Sequence, residues 1–549
     1  MSPALAALCC FAIYFLGYRL YARYLGQRIF ELDPEAPTPA HELRDGIDYV
    51  PSNKYVLFGH HYASIAGLSP MLGPAIAVIW GWVPAMLWVV LGTLFIGAVH
   101  DFGALVISMR SKGMSVGKVA EDIIGARAKT LFHILIFFLI ALAMGVFVQI
   151  CGVLLSTAFH PEAVYPTGTL MLLAMSVGWL VYKKNAPLGW ITALAFAVTL
   201  LSVWLGVRLP IIDVAVGDWK VILLIYSFAA SVLPVWLLLQ PRDYINSLLL
   251  YLGLFSIFTG FFILQPQFVA PAINASPQGA PPLFPFVFII IACGAISGFH
   301  GLVSSGTTAK QINKETDAPF IGYGGMIGES LLGLLSVLAC TAGFATRDLW
   351  ESHYLSWDTA QGLGPNMKAF IDGAGHFLSQ LGLPLELAQA FVALVAISFA
   401  LTTLDSATRL LRFNISEMGE TLKTPILGNR YLASLLAVLV IGFFAFYKID
   451  GQPAGLALWE LFGTTNQVLG GLTLLAITLY LMQRGKNYLF AALPMVFMLL
   501  TTLLAMSIKI GDFWEQGTWL LLVLGVGILG LSVWLSVEAV LRIRQSRAG

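Results

Sequence analysis

The stretch FGHHYASIAGLSPMLGPAIA, Phe58 to Ala77, decides the fold. It is apolar enough to enter a bilayer, yet Gly67, Pro70, Gly73 and Pro74 bar it from running as one unbroken helix. Glycine tolerates unwound backbone, and proline removes a donor and clashes with the preceding turn, so carbonyls are freed in mid-segment. In lipid such backbone is tolerated only where protein buries it or where it lines a cavity. The stretch therefore marks a ligand or ion site, against the plainer alternative of a kinked helix packed through small residues. His60, His61 and Ser64 precede the interruption, and Ser69 lies within it.

Of the 549 residues, 58% are hydrophobic and 11% charged, with mean hydropathy +0.83. This excludes a soluble enzyme and points to an all-α polytopic membrane protein. A net charge of +1 and the absence of long Lys/Arg runs leave no surface for nucleic acid, so the expected partners are the lipid bilayer and a small-molecule substrate. The five cysteines, Cys9, Cys10, Cys151, Cys293 and Cys340, show no CxxC or Cys/His spacing and read as core residues rather than metal ligands. Residues 1 to 18 carry no Lys or Arg before the apolar run, which reads as a retained first span.

An apolar run of about 20 residues crosses the hydrocarbon core as a helix. On that rule about fifteen spans are expected, near 3–23, 57–79, 82–108, 130–156, 168–182, 188–207, 219–240, 245–265, 284–306, 322–344, 386–408, 431–447, 459–482, 487–508 and 518–541. Every second loop is basic, from Arg19, Arg23 and Arg28 through Lys183 and Lys184 to Arg542, Arg544 and Arg547. The alternate loops, such as His160 to Pro166 and Gln265 to Pro285, have almost no basic residues, so the N-terminus faces out and the C-terminus the cytoplasm. Within the outward connection Thr346 to Pro384, Met367, Phe370, Ile371, Ala374, Phe377, Leu378 and Leu381 repeat at helical spacing. They predict an amphipathic helix on the membrane surface or capping the bundle.

Pro234, deep in the seventh span, lies five spans after the broken second one, so the two cross in opposite directions. Paired interruptions in inverted five-span halves point to a secondary transporter's site. The expected organisation is a first helix and cytoplasmic connection (1–56), a transport core (57–415, halves about 57–208 and 219–415) and additional C-terminal helices (416–549).

Ionisable groups are costly in the membrane and are functional candidates by default. They are His60, His61, His100, Asp101, Asp243, His300, Glu329 and Asp405. Asp405 and Arg409 stand four apart and predict a helical ion pair, and Asp243 adjoins Arg242. Glu329 has no cation three or four residues away. Histidine titrates where a proton gradient works, so His61 and His300 are expected to matter more than Asp405.

The segments GHHYASIAGLSPMLGPAIA, GWVPAMLWVVLGTLFIGAVHDFGALV, SVLPVWLLLQPRDY, LFPFVFIIIACGAISGFHGLVSSGTTAKQI, GYGGMIGES, LTTLDSATRL and WELFGTTNQVLGGL resemble the motifs of the carbon starvation protein A family. The resemblance runs from about residue 50 to about 415, with 459–472 fitting as well. It implies the amino acid–polyamine–organocation superfamily fold, a LeuT-like 5+5 inverted repeat, and uptake of small peptides or pyruvate across the bacterial inner membrane. In that superfamily the eighth core helix gives hydroxyl ligands to a cation also held by carbonyls of the unwound first core helix. If the ninth span is that helix, freed carbonyls near Ile65 and Ala66 face Ser304, Ser305, Thr307 and Thr308. The alternative is that these hydroxyls bond back to their own helix.

The expected substrate site is thus His60, His61, Ser64, Gly67, Ser69, Pro234 and His300. No cofactor is expected beyond a coupling ion, H+ or Na+, since no GxxxxGK[ST] provides for ATP. A competing reading is an intramembrane metalloenzyme built from His60, His61, His100, Asp101 and His300, but no HExxH occurs. A channel is a further alternative, against which the paired interruptions argue.

Overall fold

In hydrocarbon every backbone N–H and C=O must find its partner within the protein, so apolar runs of this length resolve into helices. The structure is a computed structural model describing residues 1–157, 159, 161–209, 213–360, 362–449, 451–453 and 458–548. His160 and the side chains of Arg542, Arg544 and Arg547 lie outside the described residues. Among the described residues eleven helices are long and apolar enough to cross a membrane, and a bent pair brings this to twelve.

In chain order the principal helices are α1 (Pro3–Ile29), α2 (Lys54–Ile65), α3 (Ser69–Ala77), α4 (Trp82–Arg110), α5 (Ala126–Leu154) and α6 (Pro161–Lys184). They continue with α7 (Leu188–Gly206), α8 (Val216–Val232), α9 (Leu239–Leu264), α10 (Leu283–Ile290), α11 (Gly298–Gly306) and α12 (Glu315–Ala342). The last are α13 (Leu363–Ser379), α14 (Leu385–Thr421), α15 (Arg430–Phe446), α16 (Trp459–Gln483), α17 (Leu489–Glu515) and α18 (Trp519–Ala548). Three expected spans fall short of a full crossing helix: 219–240 is the 17-residue α8, 284–306 is divided between α10 and α11, and 431–447 is the 17-residue α15.

Burial sorts the helices into two shells. The most apolar stretch of α16 is 94% buried and those of α12 and α14 are 83% buried, against 22% in α1 and α18. The first group forms the core with α5, which packs along α14. The second presents exposed apolar side chains such as Phe15, Leu20 and Val523 to lipid.

The interruption read in 58–77 is present. α2 ends at Ile65, Ala66 leaves the helical region (φ −79°, ψ 63°), and α3 resumes at Ser69 with a bend of 47°. Pro70 sits in the first turn of α3, where its missing N–H costs no helical bond. The second interruption is not at Pro234. α8 stops at Val232, and Leu233 is extended (φ −68°, ψ 150°) because a residue before proline is disfavoured from the α region. The turn that follows rests on the connection between α1 and α2, Val235 N–H donating to Ile47 O (3.0 Å) and Trp236 Nε1–H to Gly46 O (3.0 Å). The second broken helix is instead α10 with α11. Ile291 makes the same excursion as Ala66 (φ −84°, ψ 65°), and Gly294 takes φ +90°, which favours glycine. α2 packs on α11 and α3 on α10, so the two broken helices lie antiparallel. Contact is close enough that a Cβ on Gly73 would stand 2.5 Å from Ile290 O.

α13 is the helix expected in the outward connection, and it caps the bundle against α3, α9, α12 and α14. Met367, Phe370, Ile371, Ala374, Phe377 and Leu378 are buried there, while Leu381 lies beyond the helix end and is exposed.

Asp48 closes the 30–53 connection onto the core, accepting from Arg409 Nη1 (2.7 Å) and from Arg412 Nη2 (3.0 Å). Burial pushes the Asp48 carboxyl up, but Arg409, Arg412 and Lys310 outweigh it and hold it at about 2. A depressed carboxylate contributes stability above its ordinary range and loses it as pH falls through the folded value, here between pH ~4 and about 2. Asp48→Ala should destabilise the protein by ~3–5 kcal/mol, because it strips the buried Arg409 of its carboxylate partner. Thermal unfolding in detergent measures this, and Asp48→Asn should flatten the acid limb of stability against pH.

Candidate functional site

Carbonyls and N–H groups freed at the two breaks need partners from neighbouring helices, and polar residues on α14 and α16 supply them. At the first break Thr403 Oγ1 donates to Ser64 O (3.2 Å), and Ser64 Oγ lies 2.8 Å from Ser406 Oγ. At the second, Asn466 Oδ1 accepts from Phe299 N–H at the start of α11 (2.9 Å), and Asn466 Nδ2 donates to Ser297 Oγ (2.9 Å). Gln467 Nε2 donates to Phe288 O (2.9 Å).

Between the breaks lies a void of about 20 Å³, lined by Gly67 and Ser69 of one, Cys293 and Phe299 of the other, and Phe147 and Thr403. Gly67 is required here, since a Cβ would come 2.8 Å from Thr403 Oγ1 and 3.2 Å from Phe147. A larger, mainly apolar cavity of about 140 Å³ shares Ser69 and Phe462 with the void and reaches Pro281 and Trp357, in the connections before α10 and α13.

Two largely buried polar networks flank the breaks. In the first, His60 Nδ1 lies 2.6 Å from Asp243 Oδ2, and Asp243 Oδ1 accepts from Arg242 Nη2 (2.7 Å). Arg242 Nη1 pairs with Asp405 Oδ2, which also accepts from Tyr226 OH (2.5 Å). The other side of the His60 ring reaches Thr307 Oγ1 and Gln311 Nε2, each 3.3 Å away. In the second network Asp101 stands between two imidazoles: His100 Nδ1 at 2.7 Å from Oδ1, and His300 Nδ1 at 3.0 Å from Oδ2. His300 Nε2 lies 3.3 Å from Glu329 Oε1.

The structure joins most of the expected residues but regroups them. Ile65, Ala66, Gly67 and Ser69 form or border the break, and Ser64 faces α14. His61 bonds Thr308 (2.9 Å). The expected Asp405–Arg409 pair does not form. Arg409 turns to Asp48 and to the carbonyls of Ala230 and Leu233 at the end of α8, which leaves Asp405 to Arg242 of α9. The hydroxyls facing the first break are Thr403 and Ser406 of α14, not Ser304 and Ser305, because the ninth span is itself the second broken helix. Ser305 Oγ donates to Gly301 O of its own helix (2.7 Å) and accepts from Val116 N–H (3.2 Å), while Ser304 Oγ has no hydrogen-bond partner among the described residues. Pro234 lies outside the site. Sequence reasoning missed Arg242 as a bridge, Thr403, Ser406, Asn466 and Gln467. The signal available was a run of polar residues inside apolar spans, LTTLDS and GTTNQ.

A family model described as Carbon starvation protein CstA matches residues 3–349 and 353–505. The peptide transporter CstA of Bacillus subtilis (strain 168) is 33% identical over 545 residues, which cover 91% of this chain and 89% of that protein. The peptide transporter CstA of Escherichia coli (strain K12) is 32% identical over 555 residues, covering 90% and 79%. The pyruvate/proton symporter BtsT of the same organism is 29% identical over 578 residues, covering 91% and 80%. Each of these relatives carries a transporter's name, and none an enzyme's. Among solved structures, a mutant manganese transporter of Eremococcus coleocola has 15% identity and a TM-score of 0.49 over 92% of this chain and 99% of that one. MhsT in complex with L-phenylalanine has 12% identity and a TM-score of 0.48 over 89% and 99%. With the family model matched from near one end of the chain to near the other, this chain belongs to the carbon starvation protein CstA family.

Proposed function

We propose that the protein is a secondary active transporter that takes small carboxylate-bearing substrates, peptides or pyruvate, across the bacterial inner membrane on an ion gradient. The observation that carries this reading is the pair of antiparallel broken helices with a small void between their breaks. Interrupted helices of opposite direction supply backbone dipoles to a midplane site and hinge points for alternating access. The N-terminus of α3 carries partial positive charge and borders the void through Ser69, which suits the carboxylate that peptides and pyruvate share. The relatives' names divide between these two substrates.

In this reading the chain crosses the membrane fifteen times, N-terminus out and C-terminus in the cytoplasm, and the core is a 5+5 inverted repeat. The second half is 283–483. The first half is 54–154 with 216–264, and α6 and α7 are an inserted hairpin. Packing supports the assignment: α8 and α15, fourth in their halves, both pack on α5 and α14, the third of each half. Coupling is assigned to protons through His60, Asp243, Arg242 and Asp405, which link the first broken helix to α9 and α14. Sodium at the first-break carbonyls with Thr403 and Ser406 is the second possibility, favoured by the all-oxygen surroundings. No resident cofactor is needed for either.

Uptake of labelled pyruvate and dipeptides into proteoliposomes under an imposed proton or sodium gradient tests the reading. Accumulation that survives collapse of both gradients overturns it. Gly67→Leu should abolish uptake with the protein still inserted, while Pro234→Leu, in the cytoplasmic turn, should retain it; equal loss in both would remove the void as the substrate site.

Asp405→Asn should lower proton-driven uptake about tenfold or more, equivalent to ~1.4 kcal/mol, and flatten its pH profile. His60→Gln should do the same. An Asp405→Asn protein that inserts normally and keeps the original pH profile would place coupling elsewhere.

A further inference from the structure

We propose that Cys293, His300 and Glu329 form a binding site for a divalent transition metal ion of the zinc type. The three side chains come from separate segments, Cys293 from the second break, His300 from α11 and Glu329 from α12. All are buried, and one donor atom from each lies within 4.8 Å of the other two.

Three observations converge on a cation. Both Glu329 oxygens and His300 Nε2 lack a hydrogen-bond partner among the described residues, although their side chains are fully buried. A fully buried carboxylate is costly unless it is paired or coordinates a metal, and the ion-pair neighbour of Glu329, His300, is shared with Asp101. The His300 Nε2 to Glu329 Oε1 separation is 3.3 Å. Two ligands each ~2.0–2.1 Å from a tetrahedral zinc stand about 3.3 Å apart, so the pair already has the spacing of one edge of such a site. Finally, His300 Nδ1 is held by Asp101 at 3.0 Å, and Asp101 in turn by His100. With Nδ1–H donating to that carboxylate, the Nε2 lone pair faces Glu329, as in carboxylate–histidine–metal arrangements.

Charge and ligand type select the ion. Neutral imidazoles leave two carboxylates, Asp101 and Glu329, and the Cys293 thiolate formed on binding adds a third negative charge, so a divalent cation offsets two of the three. A thiolate with an imidazole and a carboxylate suits zinc or ferrous iron and disfavours magnesium and calcium, which take oxygen. Binding deprotonates the Cys293 thiol and releases that proton, with no change in any other bond. Cys293 also lines the void between the breaks, which gives an ion a route to the cluster. The site stands apart from the His60–Asp243–Arg242–Asp405 network assigned to coupling, so it holds or fails independently of that assignment.

The test uses the full chain, purified in detergent, stripped with a chelator and titrated with Co2+ as an optical stand-in for Zn2+. The expected result is saturation at about one equivalent per chain with a thiolate-to-cobalt charge-transfer band that added Zn2+ abolishes. Cys293→Ser, close to the native side chain in size, should lose the band. Glu329→Gln should lower affinity, and Asp101→Asn should weaken it roughly 10–100-fold through the histidine it orients. Zn2+ should also raise the thermal midpoint of the wild-type protein and not that of Cys293→Ser, a readout that stands if Glu329→Gln fails to fold. The proposal is overturned if the wild-type protein shows no saturable Co2+ binding, if the band persists in Cys293→Ser, or if Zn2+ stabilises both proteins equally.

Discussion

A peptide group released from its helix inside hydrocarbon has no water to turn to, and that constraint organises this molecule. Two helices are opened at Ala66–Leu68 and Ile291–Ser297. Other helices carry polar residues where their own composition would favour Leu or Val, because those openings must be satisfied. α14 brings Thr403 and Ser406 to the first opening, and α16 brings Asn466 and Gln467 to the second. The deep burial of α14 and α16 follows from the same demand, since a helix that closes a gap in the core has to lie in the core.

Charge follows the same logic at higher cost. Removing one member of a buried ion pair is far more destabilising than the pair is stabilising. Arg242 is 2% exposed and holds two carboxylates, so α9, α14 and α2 are tied at one point through Asp405, Asp243 and His60. The Arg409–Asp48 contact is a second such point, toward the C-terminal end of α14. Together the two fix α14 relative to both the first broken helix and the connection that leads into it.

Much of this was legible in the sequence. Glycines and prolines crowded into Phe58–Ala77 located the first opening, because both residue types act on their own backbone and need no neighbour to do it. Pro234 misled because proline ends a helix as readily as it kinks one, and only the partners of the next turn, Gly46 and Ile47, tell the two apart. The second opening has no proline within it; its sign was the glycine-rich run CGAISGFHG, 293 to 301. Asp405 was assigned to Arg409 because spacing along one helix is all that a sequence displays. The competing partner, Arg242, is 163 residues away and becomes visible only in the packed bundle.

The Arg242 cluster also has an electrical consequence. One guanidinium and two carboxylates sum to a single negative charge, and protonating His60 brings the sum to zero. Displacing a charge through the membrane field costs about 2.3 kcal/mol per elementary charge for each 100 mV. With His60 neutral, any movement of the cluster along the membrane normal works with or against the resting voltage; with His60 charged, it is indifferent to that voltage. One imidazole therefore sets how strongly the cell's electrical potential acts on this part of the protein.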